Sequence, residues 1–210
     1  MNMSEHHHEH TEPPSSTELR VKSIESLLVE KGLAKSETID MIIDTYETKI
    51  GPSVGKAIVA KAWVDPQFKA DLINDPHSAL SGFAEIGAQG EQIRILENTD
   101  QVHNLVVCTL CSCYPWPILG LPPVWYKSAP YRSRAVADPR GVLAQFGTNI
   151  PENVEIRVWD STSEMRFLVL PQRPEGTEDW PEEKLISLVS RNSMIGVEKV
   201  NLQTEELIHE

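Results

Sequence analysis

The three cysteines of this 210-residue chain, Cys108, Cys111 and Cys113, all fall within six consecutive positions, Cys108-Thr109-Leu110-Cys111-Ser112-Cys113. That grouping limits what can hold the fold together. A disulfide framework draws on an even number of cysteines spread along the chain, and residues two apart rarely reach disulfide geometry. The chain must therefore rely on an apolar core, and its 40% hydrophobic content is ordinary for a globular domain. The cysteines are left free for metal chemistry. An iron–sulfur cluster normally takes four thiolates and structural zinc takes four ligands. His103 is a candidate fourth zinc ligand, but it falls on a predicted strand ahead of the loop.

Connectivity offers another scheme. Around one ion, the Cys111 sulfur and the Ser112 amide nitrogen close a six-membered chelate ring, and the Ser112 and Cys113 amides close a five-membered one. The Cys113 amide and its own sulfur close a third ring, which makes a planar set of two sulfurs and two nitrogens. Cys108 can add a sulfur from below and leave one octahedral position open. Thiolates and deprotonated amides are strong anionic donors that suit a trivalent, sulfur-loving ion better than zinc. An ion with an open position is a Lewis acid. Exposed thiolates beside it are prone to oxidation. The spacing leaves this scheme and the zinc module both standing.

The rest of the chain supplies the setting. Residues 1–14 are polar and carry His6, His7, His8 and His10, and they read as a disordered, solvated tail rather than a metal catcher. Residues 15–85 read as a helical arm and further helices. Ser15 and Glu18 have capping-box spacing. Val21, Ile24, Leu27, Leu28 and Val29 form an apolar stripe with Gly32 as the stop. A second helix is predicted over 36–49, with Ile39, Ile42, Ile43 and Tyr46 facing inward, and a third over 54–64. Pro66 and Pro76 suit the first turns of short helices. The arm either packs on its own domain, the commoner use of an amphipathic helix, or reaches across a partner. Residues 86–200 read as a metal-binding α+β domain, and 201–210 as a flexible terminus. Strands are predicted at 92–97 and 102–107, joined by Asn98-Thr99-Asp100, and again around Val154–Val158 and Met165–Val169. Asp160 to Glu164 is predicted to join the last two as a hairpin. A final helix follows Pro181, with Leu185, Leu188 and Val189 at helical spacing.

A net charge of −12 argues against nucleic-acid binding, which needs clustered Lys and Arg. No stretch approaches the roughly 20 apolar residues of a membrane span, and no charged-then-apolar leader is visible. A cytoplasmic protein is expected.

The run VCTLCSCYPWP from Val107, continuing as ILGLPPVWYKSAPYRSRAV, resembles the α subunit of nitrile hydratases. So do AKAWVDPQFKADL before it, DPRGVLAQFG after it, and VEIRVWDSTSEMRFLVLPQRPEGTE near the end. The resemblance spans roughly residues 17–197. It implies a helical arm followed by a layered α/β/β/α domain. It implies Cys108 as axial thiolate, Cys111 as an equatorial sulfinate and Cys113 as an equatorial sulfenate, with the Ser112 and Cys113 amides completing the plane. Thr109 and Tyr114 correspond to the cobalt members of the family, so Co(III) is expected, one per α subunit, rather than Fe(III). Gln89 corresponds to a pocket glutamine that orients substrate or water, and its alternative is an ordinary loop residue. The Ser112 hydroxyl is placed in the active site. Asp160 and Glu164 correspond to acids just outside the metal's ligands, the alternative being solvated turn carboxylates. Trp116 and Tyr114 are expected on the substrate pocket, and Trp125 and Tyr126 in the core.

The implied reaction hydrates a small nitrile to an amide, with the nucleophile left open. The implied partners are a β subunit, as αβ and commonly α2β2, and a cobalt-loading activator protein. Two alternatives stand beside this reading: a thiocyanate hydrolase γ-type subunit, and the non-catalytic zinc module with His103.

Overall fold

In a computed structural model of the chain, residues 16–44, 51–84 and 91–202 are described, apart from the side chains of 17, 18, 43 and 44. The chain divides into two compact units, residues 1–44 and 45–210.

The first unit contains α1 (Ser16–Glu30) and α2 (Ser36–Asp44). Gly32 ends α1 as expected. Its φ of 68° lies in the left-handed region that glycine enters freely, and it lets Leu33 N–H return to the Leu28 carbonyl at 2.9 Å. The α1 stripe exists, but Leu19, Val21, Ile24 and Leu27 are all exposed. In α2, Ile39 is half-buried, but Ile42, expected to face inward, is exposed. A two-helix unit this small has too little facing surface to bury both stripes. Ser15 of the expected capping box, Tyr46 and the end of the predicted second helix lie outside the described residues, as do the His-rich tail and 203–210.

The second unit opens with α3 (Pro52–Val64), α4 (Pro66–Asn74) and α5 (Pro76–Leu80). The joints follow one local rule. Asp65 and Asp75 are N-caps whose carboxylates accept from Phe68 N–H at 2.9 Å and Ser78 N–H at 3.2 Å, and a proline takes the next position. A capping carboxylate satisfies a donor the helix cannot, and proline there loses no hydrogen bond. Asp138-Pro139 repeats the device and starts α9, which periodicity alone did not reveal.

The strands are β1 (Gln92–Glu97), β2 (Val102–Val107), β3 (Glu155–Asp160) and β4 (Met165–Leu170). Their pairing corrects the expected hairpin. β1 pairs with β4 and β2 with β3, both in parallel, so 161–164 carries the chain from one sheet to the other. A tight hairpin needs positive φ in its turn, and no residue of 161–164 has it. β2 is buried on both faces, as parallel strands usually are. Between β2 and β3 lie α6 (Trp116–Leu119), α7 (Val124–Lys127), α8 (Ala129–Ala137) and α9 (Pro139–Gln145). The chain then ends with α10 (Glu182–Leu188) and α11 (Arg191–Ile195).

α4 and α5 pack on β1, β4 faces β2, and α8 and α9 cover β2 and β3. The order is helices, sheet, sheet, helices, which is the expected α/β/β/α layering. Leu72, Leu105, Leu143 and Leu168 are fully buried between the layers. Among the described residues, no helix is long and apolar enough to cross a membrane.

A buried polar knot sits in β2. The His103 ring meets the Gly196 carbonyl through Nε2 at 2.7 Å and the Asn98 amide through Nδ1 at 3.3 Å. Asn98 Oδ1 accepts from Asn104 N–H at 2.8 Å. Gly196 has φ 90°, and a Cβ there would lie 1.9 Å from the Asn104 carbonyl oxygen. Both His103 nitrogens are thus engaged in the core. Burial, the larger influence, lowers its pKa below 6.5, so the neutral ring donates from Nε2 and accepts at Nδ1.

Candidate metal centre

β2 delivers Cys108, fully buried, at the point where the strand ends and the chain turns outward. Cys111 N–H points at the Cys108 sulfur, 3.3 Å away. The loop then brings Cys111 Sγ to 3.5 Å from Cys108 Sγ and 3.2 Å from Cys113 Sγ. All three sulfurs lie within 4.8 Å of one another, a group that could hold a metal ion.

The loop is held from both sides. Parallel pairing sets Asp160 opposite Val107. The Asp160 carboxylate accepts from Thr109 N–H at 2.8 Å and from the Thr109 hydroxyl, and Ser161 N–H donates to the Val107 carbonyl at 2.7 Å. From α8, Arg132 Nη1 donates to the Thr109 and Leu110 carbonyls at 3.2 and 3.1 Å. Beneath, Tyr126 OH donates to the Cys113 carbonyl at 2.9 Å and Tyr131 OH to the Val106 carbonyl at 2.7 Å. These rings belong to an edge-to-face cluster, with Tyr114–Tyr126 centroids 5.2 Å apart and Trp125–Tyr131 centroids 4.9 Å apart. Such a cluster places large apolar rings in preferred edge-to-face geometry beneath the loop. Tyr126 is completely buried, as expected of a core residue.

The sulfurs carry a conflict that a cation resolves. Hydrogen bonds from the Cys113 and Cys108 thiols lower the Cys111 pKa to about 7. Burial, and then the neighbouring Cys111 sulfur, push Cys113 up to about 12. The bare loop thus accepts one thiolate readily and resists a second. An ion of high charge at the centre of the trio would favour all three anions together, so the donor set fits a highly charged, sulfur-seeking ion.

Among the described residues, a closed zinc tetrahedron finds no fourth protein ligand. Among the described residues, the only His, Cys, Asp or Glu side chains that converge here are the three cysteines. His103 is hydrogen-bonded at both nitrogens inside the core, which overturns its proposed part in a zinc module.

The other expected site residues separate. Ser112 is half-buried at the crest of the loop. Trp116 is 42% exposed beside it, whereas Tyr114, expected on a pocket wall, turns down into the buried aromatic cluster. Of the two acids, Asp160 is tied to the loop. Glu164 is exposed, and its carboxylate makes no hydrogen bond or ion pair among the described residues. Gln89 lies outside them. Residue-by-residue reading missed Arg132, which grips the loop from more than twenty positions away, and took Tyr131 only as rigid aromatic area, not as a donor to the Val106 carbonyl. No local spacing marks such a contact. The only signal was the long matching run in which both sit.

Comparison with known proteins agrees with this geometry. The family model of the nitrile hydratase α chain matches residues 15–198. The low-molecular-weight cobalt-containing nitrile hydratase subunit alpha of Rhodococcus rhodochrous is 57% identical over 189 residues, covering 89% of this chain and 91% of that one. The thiocyanate hydrolase subunit gamma of Thiobacillus thioparus is 40% identical over 197 residues, covering 89% and 81%. Among solved structures, a double mutant of the Fe-type nitrile hydratase from Comamonas testosteroni Ni1 superposes with a TM-score of 0.79 at 39% identity, covering 89% of this chain and 91% of that one. The chain belongs to the nitrile hydratase α-chain family.

Proposed function

We propose that this chain is the metal-carrying α subunit of a nitrile hydratase, hydrating R–C≡N to R–CO–NH2. The carrying observation is the convergence of three cysteine sulfurs on one point at the end of β2. The sulfurs of Cys108, Cys111 and Cys113 and the main-chain nitrogens of Ser112 and Cys113 are assigned as ligands. The ion is assigned as Co(III): Thr109 and Tyr114 match the cobalt pattern, and the cobalt-containing relative is 57% identical against 39% for the Fe-type structure. When bound, the ion supplies Lewis acidity toward the nitrile group.

The protein's own part is positioning. Asp160 fixes Thr109, Arg132 holds the next carbonyl, and Tyr126 pins the carbonyl of Cys113, so the loop meets substrate already shaped. The aromatic floor leaves the solvent side as the way in. Cys111 and Cys113 are assigned as the oxidised sulfurs. The Ser112 hydroxyl and Gln89 are assigned to orient substrate or water, and Trp116 to flank the pocket. Asp160 is assigned to support the loop from outside the ligand set, with Glu164 beside the same turn.

A β subunit completes the enzyme. Leu110, 85% exposed within the loop, and Trp116 just after it present apolar surface, and the exposed stripe of α1 offers a second. Burying both against a partner removes apolar area from water. An α2β2 assembly, a cobalt-loading activator protein and a cytoplasmic site belong to the same reading.

The test is co-expression with the β subunit in cobalt medium, followed by a nitrile assay, metal analysis and peptide mass spectrometry. About one cobalt per chain, oxygen on Cys111 and Cys113, and amide product are expected. Unmodified cysteines with no amide formed would sink the reading. The second reading, a thiocyanate hydrolase γ-type subunit, rests on the 40% relative. Turnover of thiocyanate in preference to simple nitriles would favour it.

A further inference from the structure

The polar knot in β2 joins β1, β2, β3 and α11. His103 is the second residue of β2, at the end of the strand away from Cys108. Its ring is 3% exposed. It meets the Gly196 carbonyl, just past α11, at 2.7 Å and the Asn98 amide, just past β1, at 3.3 Å. The next residue, Asn104, donates from Nδ2 to the Glu97 carbonyl at 2.8 Å and accepts at Oδ1 from Trp159 Nε1 of β3 at 2.8 Å. β1 and β3 belong to different sheets. The knot therefore fastens one sheet to the other, and α11 to both.

The knot accommodates one protonation state of the ring. With Nε2–H donating to Gly196, Nδ1 accepts from Asn98 Nδ2. A protonated imidazole carries N–H at both nitrogens. Its Nδ1–H would face the Asn98 NH2, donor against donor. Turning the Asn98 amide over gives no relief, because Asn98 Oδ1 already accepts from Asn104 N–H at 2.8 Å and from Asn104 Nδ2 at 3.0 Å.

The surrounding charges do not favour a cation either. The ring lines one cleft with Asp100, Arg173, Glu175 and Lys199. Both acids are exposed to solvent, and Asp100 already accepts from Gln172 Nε2 at 2.7 Å. Arg173 donates to the Trp63 carbonyl and to Thr177. Lys199 is felt at the ring as a like charge. On β3, Glu155 and Arg157 flank the paired Ile156 and bind each other at 2.8 Å. Glu97 is paired with Lys69. Arg166 of β4 pairs with Ile93, at the other end of β1 from Asn98, Arg132 of α8 holds the metal loop, and Arg191 begins α11 whereas Gly196 follows its end.

We propose that the His103 knot is an acid-operated latch: the neutral ring fastens β1 to β2, and a proton taken from solvent at Nδ1 breaks the Asn98 contact and opens that junction while Nε2–H stays on Gly196. The sign follows from burial, which with Lys199 holds the folded ring's pKa below 6.5. The unfolded chain binds this proton first, so the latch's stabilisation is complete above pH 6.5 and is lost as the pH falls below it.

The test is denaturant unfolding of the full chain, its thiols kept reduced, from about pH 8 to about pH 5, wild type against H103Q, whose side chain does not titrate. The wild-type unfolding constant is expected to rise relative to that of H103Q by up to about tenfold for each pH unit below 6.5. Parallel pH profiles would overturn the latch. Should H103Q not fold, NMR of the wild-type His103 ring and the Asn98 side-chain amide decides. Protonation of the ring that comes only as the Asn98 signal leaves its native position supports the latch. A ring that titrates while that signal stays in place overturns it.

Discussion

In the cysteine loop, the backbone is tied at Val106, Val107, Thr109, Leu110 and Cys113 by groups from β3, its following turn, α7 and α8. In α1, the side-chain ties are local, Ser23 Oγ to the Leu19 carbonyl at 2.7 Å and Ser26 Oγ to that of Lys22 at 2.9 Å, and the apolar side chains are exposed. One segment is finished by its own domain. The other has formed its helix and left its hydrophobic surface unused. The contrast shows what each kind of structure requires. A helix satisfies most of its backbone hydrogen bonds within its own segment. A loop that aims three sulfurs at one point needs rigid elements far away in sequence. The two regions should therefore answer differently to substitution.

The largest effect is expected at the loop itself. Cys113→Ala removes a sulfur that no neighbour replaces, and in the αβ complex it should abolish amide formation and sharply lower cobalt content. Near-normal turnover would remove Cys113 from the chemistry. Next comes Asp160→Ala, which deletes the acceptor for both Thr109 donors. Support groups of this kind are typically worth about 10–100-fold in metal affinity or activity, and cobalt titration of the complex measures it. An unchanged affinity would mean that Thr109 holds its place without help.

Tyr126→Phe should cost less. It leaves the Cys113 carbonyl short of a buried donor, at about 1–3 kcal/mol, visible as a lower denaturation midpoint with the aromatic packing intact. The smallest effect on the chain's own stability is expected in the arm. Leu27→Ser and Leu28→Ser change exposed positions, and the isolated chain should shift by no more than about 0.5 kcal/mol. The same pair should weaken association with the β subunit, measured by sedimentation or titration. A large loss of stability in the isolated chain, or full-strength assembly, would each erase the difference between the two regions.

Much of this was legible in the chain. The crowding of Cys108, Cys111 and Cys113 announced a metal loop, because three sulfurs within six residues of a turn have few other arrangements. The Asp-Pro steps at 65–66, 75–76 and 138–139 are helix starts by local chemistry, although only the first two were read as such. The strand positions at 92–97 and 102–107 matched because runs of apolar residues bounded by polar turns are local signals. The expected joining of the last two strands as a hairpin failed because alternation marks a strand without naming its neighbour. Tyr114 was misplaced for a related reason: its position next to Cys113 says nothing of which way the ring turns.

The amino-acid order alone showed where α4 and α5 begin, which segments are strands, and that three sulfurs crowd into one short loop. These depend on interactions within a few residues. Only the folded arrangement decided that Asp160, Arg132, Tyr126 and Tyr131 converge on that loop, and that His103 is spent in the core. Those facts depend on which distant strands share a sheet, and that choice is made by the burial of the whole core rather than by any local stretch of chain.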